Sequence, residues 1–131
     1  MHTFIKALSI LTILLLTNCT KSAGVGGKAT IKGKVTVTNI KNGIVKDKYD
    51  AQAHNIYIIY GDGNLYQDDF KTSLDGTFIF NDLNKGKYQL FTYSDCENCP
   101  KGQDSLIIIP LEINEKKQVL ELEIIEIINY I

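Results

Sequence analysis

The chain has 131 residues, with no arginine, no tryptophan and two histidines, and its fourteen lysines against fifteen acidic residues leave a net charge of −1. One domain fits that length. Arginine is the usual bidentate gripper of phosphate, and the lysines here are scattered rather than striped, so nucleic-acid recognition is not expected. At the N-terminus, Met1–Lys6 carries one positive side chain and is followed by an apolar run, Ala7–Thr17. That run is too short to span a bilayer, so residues 1–18 read as a signal peptide.

Leu16-Thr17-Asn18-Cys19 resembles the lipobox of bacterial lipoproteins, with Asn18 where Gly, Ala or Ser is commoner. The resemblance implies that Cys19 is acylated and becomes the first residue of the mature chain. Two or more acyl chains hold a protein at a membrane where one binds reversibly. Lipoproteins of the Bacteroidota sent to the cell exterior carry acidic residues after the cysteine, and Thr20-Lys21-Ser22 has none. That resemblance therefore implies an outer-membrane, periplasm-facing position. Thr20–Ala29 is small, Gly-rich and without periodicity, so residues 19–29 are expected to form a flexible tether with a reach of roughly 17 Å.

Residues 30–131 read as a β domain. A first strand is expected over Thr30–Thr38, where Ile31, Gly33, Val35 and Val37 alternate with lysines and threonines. Asn39–Gln52 is mixed in charge and reads as a surface loop around Asn42-Gly43. Ala53–Tyr60 alternates Ile56, Ile58 and Tyr60 with Asn55, Tyr57 and Ile59, and Leu65–Thr72 is a more polar, edge-type strand. In Thr72–Tyr93 two alternating runs flank Asn84-Lys85-Gly86, which reads as a β-hairpin with Phe78, Phe80, Tyr88, Leu90 and Thr92 inward. Pro110 interrupts a strand over Ser105–Ile113 and marks an edge or a bulge. Asn114–Lys117 reads as a last hairpin turn, and the strand over Gln118–Ile128 slips in pattern at Ile124-Ile125, as at a bulge or a change of neighbour. Seven short strands with no helical period predict an all-β, antiparallel sandwich.

The pattern Asp75-Gly76-x-Phe78-x-Phe80-x-x-Leu83-x-x-Gly86-x-Tyr88-x-Leu90, with Ile31-x-Gly33-x-Val35 ahead of it, resembles the transthyretin-like, or carboxypeptidase regulatory-like, β-sandwich domains. The resemblance implies a seven-stranded Greek-key (prealbumin-like) sandwich serving as a non-catalytic accessory or binding module. It supplies no ligand residues, because the matched positions serve turns and core.

Few residues are left for chemistry. With Cys19 acylated, Cys96 and Cys99 are the remaining thiols, and in an oxidising compartment they are expected to pair. So short a loop contributes about 2 kcal/mol before strain. The alternative is thiol–disulfide exchange by Cys96 and Cys99, but Asp95 and Glu97 work against a reactive thiolate and no helix begins there. Two cysteines and a distant His54 do not complete a zinc site. Asp62-Gly63-Asn64 with Asp68-Asp69 fails the spacing of a calcium loop, and no catalytic triad is present. Neither metal nor cofactor is expected. Tyr57, Phe91 and Tyr93 fall on the strand faces opposite the core, and if their strands are neighbours they form an apolar patch for a glycan or an envelope protein. The expected function is a lipid-anchored, non-catalytic binding or structural module of the cell envelope.

Overall fold

The computed structural model describes residues 22–131; the expected signal peptide, residues 1–18, and Cys19 lie outside the described residues. Nine strands are formed among them: β1 (Val25–Lys41), β2 (Ile44–Asp50), β3 (Asn55–Tyr60), β4 (Asp68–Lys71), β5 (Thr77–Leu83), β6 (Gly86–Ser94), β7 (Ser105–Ile113), β8 (Val119–Glu121) and β9 (Ile125–Tyr130). They make two sheets around one core. The first is built on β1 and the second runs β4-β3-β6-β7.

The long strand β1 organises the first sheet. Val35 donates its N–H to Gly76 O (2.9 Å) and accepts from Ala51 N (3.0 Å). Both groups of one residue point to the same strand edge, so β5 and β2 share that edge end to end. The opposite edge takes β8 at Thr30–Lys32 and then β9 at Val35–Ile40, both parallel to β1. The core joins Ile31, Val35, Phe78, Phe80 and Leu83 of this sheet to Ile56, Ile58, Tyr88, Leu90 and Ile113 of the other. The inward alternation read from β3, β5 and β6 is the observed one.

The expected element list changes in five places. First, the strand begins at Val25, so Val25–Ala29 is not tether: Gly24 O accepts from Asn84 N (2.8 Å), and Ala29 is fully buried. Second, Asn39–Gln52 is not a loop. Asn42 and Gly43 both have positive φ (52° and 75°), the requirement of a tight two-residue hairpin turn, and β2 returns along β1. Every residue of β2 is exposed, so no face alternates, and the strand is held by pairs such as Lys34–Asp50 (2.9 Å) and Lys48–Glu126 (2.8 Å).

Third, β5 and β6 are not a hairpin, since they belong to different sheets. The turn between them is fastened from outside: Asn84 N–H donates to Gly24, and its carbonyl accepts from the Tyr88 hydroxyl at 2.6 Å. Its polar groups thus have partners without a ladder between the flanking strands, and the chain crosses the core. Fourth, the turn after β7 also crosses sheets, so Asn114–Lys117 closes no hairpin and the last strands run parallel rather than antiparallel. Fifth, the expected seventh strand is two. The slip near Ile124 is a break at Leu122–Ile124 between β8 and β9, which keep the same neighbour.

Beneath one end of the second sheet lies a polar network. The Thr92 hydroxyl donates to Asn55 O (2.8 Å) and so accepts from His54 Nε2 (2.7 Å), while the His54 N–H donates to the Thr72 hydroxyl (2.8 Å). Burial holds the His54 imidazole below its usual value, an effect only partly offset by a hydrogen bond to the Tyr93 backbone. Unfolding therefore raises the proton affinity of His54. Its stabilising contribution is complete above roughly pH 6.5 and is lost as pH falls below that value. The melting temperature is expected to drop as pH falls from about 6.5 to about 5, and His54→Gln should flatten that drop. Asp75 and Glu126 do not interfere, because hydrogen bonds from Thr77 and Lys48 hold both carboxyls below their ordinary values, outside this window. An equal slope in both proteins would exclude His54 as the cause.

Candidate functional site

The second sheet turns an aromatic face outward. Directly opposed residues of neighbouring strands share a face, and the register lines up Asp69, Tyr57, Phe91 and Ile108 across all four strands. The next outward row holds Lys71, Asn55, Tyr93 and Leu106. The three aromatic residues expected to meet do so. Tyr57 stacks on Phe91 with ring centroids 4.8 Å apart, Tyr93 packs edge-on to Phe91 at 6.0 Å, and Tyr57 and Tyr93 are 6.2 Å apart.

Tyr66 completes the cluster from the β3–β4 loop, 4.7 Å from Tyr57 and 6.1 Å from Phe91. The loop is folded back onto the sheet by Gln67, whose N–H donates to Ile58 O (3.0 Å) and whose side-chain oxygen accepts from Tyr60 N (2.7 Å). The sequence reading placed Tyr66 on a polar edge strand. The local signal ahead of it is Gly61, whose φ of +77° turns the chain out of β3. Leu106 and Ile108 were read only as strand residues, and they extend the patch onto β7 with about half their surface exposed.

The cluster divides by burial. Tyr57 and Phe91 are half-buried, whereas Tyr66 and Tyr93 stand out to 51% and 45% exposure and present their hydroxyls. At the border with β4, Asp69 and Lys71 are exposed, and the buried Asn55 Oδ1 has no hydrogen-bond partner among the described residues. Flat rings with acceptor oxygens beside them suit a ligand with C–H faces and hydroxyl donors.

Cys96 and Cys99 are joined in a disulfide at the β6–β7 loop, beyond Tyr93. The loop is moored to β9 through Asp95, whose N–H donates to Ile128 O (3.0 Å) and whose carboxylate accepts from Tyr130 N (3.0 Å). No three metal-ligating side chains converge among the described residues. Asp62 lies on the exposed β3–β4 loop, and the Asp68 carboxylate accepts its neighbour's N–H (2.8 Å).

No protein-family model matches the chain, and no curated protein is similar to it in sequence. Among solved structures it is similar to a Pseudomonas aeruginosa protein provisionally assigned as carbohydrate-binding, at 10% identity over 82% of this chain and 92% of that one, with a TM-score of 0.47. It is also similar to (S)-allantoin synthase, at 12% identity over 77% of this chain and 42% of that one, with a TM-score of 0.44. The chain thus corresponds to less than half of the second protein's length.

Proposed function

We propose that the protein is a non-catalytic binding module of the bacterial cell envelope that captures a saccharide on the outer face of the β4-β3-β6-β7 sheet. The observation that carries this reading is the four-ring cluster of Tyr57, Tyr66, Phe91 and Tyr93 on a face open to solvent. Aromatic rings left uncovered at that density mark an interaction surface. The exposed phenols and the exposed carboxylate of Asp69 favour a hydroxylated ligand over a purely apolar one.

The same proposal places the domain in the transthyretin-like group of Greek-key sandwiches and anchors it through acylated Cys19 to the outer membrane, facing the periplasm. It gives the Cys96–Cys99 bond a structural role, since its loop is moored to β9 through Asp95.

The test uses tyrosine fluorescence, which is uncomplicated because the chain has no tryptophan. Titration with an array of oligosaccharides should produce saturable changes. The double variant Tyr66→Ala/Tyr93→Ala should weaken binding at least tenfold, in line with roughly 1.4 kcal/mol or more, while the melting temperature shifts by only a few degrees. Tyr57→Ala should lower both, because its ring supports the other three. An array without a binder, or a double variant that binds normally, would overturn the proposal.

A further inference from the structure

Ile59 shares the outer face of β3 with Tyr57, yet it is only 8% exposed. The β3–β4 loop covers it, since a Cβ added at Gly63 would lie 3.8 Å from Ile59 Cγ2. That loop is fastened at both ends. Gln67 ties its far end to Tyr60 N (2.7 Å), and Gln89 Nε2 donates to Gly61 O (3.2 Å) at its start. The loop therefore stands as a bank along one side of β6, with Tyr66 beside Phe91 and Asp62 beside Lys87 and Gln89.

Between this bank and β7 the outer face is hollow. A concavity of about 530 Å³ opens over Gln89 and Pro110, with Asp62 on the bank and Lys87 and Glu112 at the far end. Gln89 and Pro110 are opposed across the β6–β7 ladder, as are Lys87 and Glu112. The next opposed outward pair is Phe91 and Ile108, in the middle of the aromatic cluster. The concavity thus continues the cluster along β6, toward Gly86.

Its polar groups are uncommitted. Asp62, Lys87 and Glu112 are exposed, and among the described residues none of them makes an ion pair or a side-chain hydrogen bond. Gln89 spends one N–H on Gly61 and keeps its side-chain oxygen. Carboxylate and amide oxygens accept from hydroxyls, and an ammonium donates to them. Two carboxylates beside one ammonium disfavour a negatively charged ligand here.

We propose, resting on the saccharide reading above, that the ring cluster and this concavity are two halves of one trough that takes an extended, uncharged oligosaccharide laid along β6. From Tyr93 to Lys87 the strand advances roughly 20 Å, the length of about four sugar rings in an extended chain. Tyr66 and Tyr93 stack on rings at one end, while Asp62, Lys87 and Glu112 bind hydroxyls at the other. The bank sets the direction, because a chain laid across the strands would have to climb over the loop. A disaccharide fills only one half.

Chain length is the deciding measurement. Uncharged β-1,4-linked oligomers of glucose and of N-acetylglucosamine, two to six units long, are titrated against the full chain by tyrosine fluorescence. In at least one series the tetramer should bind at least tenfold more tightly than the dimer, with no further gain at six units. The triple variant Asp62→Ala/Lys87→Ala/Glu112→Ala should bring the tetramer down to the wild-type dimer's affinity. Its melting temperature should not move, because all three side chains are exposed and unpartnered. Equal affinities along both series, or a triple variant that binds the tetramer as the wild type does, would overturn this inference while the saccharide reading stands. So would an array that yields a binder of another kind while neither series binds. An array without any binder would remove the reading itself, and this inference with it.

Discussion

Tyr88→Phe should lower the stability of the domain by about 1–3 kcal/mol, the cost of leaving buried polar groups without partners, and Tyr88→Ala by roughly 3–5 kcal/mol. The phenol is the node at which three segments meet. It accepts from Gly24 N (2.9 Å) and donates to Asn84 O (2.6 Å), while its ring, 1% exposed, stands edge-on to Tyr60 at 5.8 Å. Burial pushes the phenol above its ordinary value, so it remains a donor well past neutral pH. The phenylalanine variant keeps the ring and deletes only the fastening. Its loss should therefore appear in denaturant unfolding together with faster amide exchange at Gly24 and Asn84. A variant with an unchanged midpoint would show that packing alone holds the N-terminal segment against the β5–β6 turn.

Gly76→Ala should cost about as much, by a different route. Gly76 has φ +77°, where an L side chain costs roughly 1–2 kcal/mol. Its Cβ would also lie 2.3 Å from Val35 O and 3.2 Å from Ala51 N. Those are the groups that clamp β2 and β5 end to end on β1, so relieving the clash breaks hydrogen bonds worth about 1 kcal/mol each. The total is about 3–4 kcal/mol. Gly61→Ala is the internal control, with the same φ of +77° and nothing within 4 Å of the added carbon. It should show the conformational cost alone. Equal losses in the two variants would mean that the crowding at Val35 is relieved at no cost.

The two sites differ in how far they could be read in advance. Phe78, Phe80, Tyr88 and Leu90 announce their inward faces by strict alternation, and Tyr57, Phe91 and Tyr93 follow as the outward set once β3 and β6 are neighbours. Tyr66 does not follow. It reaches the cluster because Gln67 ties a loop down through a side-chain amide, and a single contact of that kind leaves no periodic trace. β2 was illegible for the related reason that both of its faces are wet. The hairpin reading of Thr72–Tyr93 failed because alternating runs around a Gly-containing turn look the same whether the strands pair or face each other across a core.

Residue order alone thus determined that the described domain is all-β, that Ile56, Ile58, Phe78, Phe80, Tyr88 and Leu90 face the interior, and that Pro110 lies at a margin, because burial of alternate residues and the missing proline N–H are local properties. Partnership was decided only in three dimensions. β1 receives β5, β2, β8 and β9 through backbone hydrogen bonds that join residues as far apart as Ile40 and Ile131. The energy of such bonds depends on where the backbone directs its groups and not on which residue types carry them.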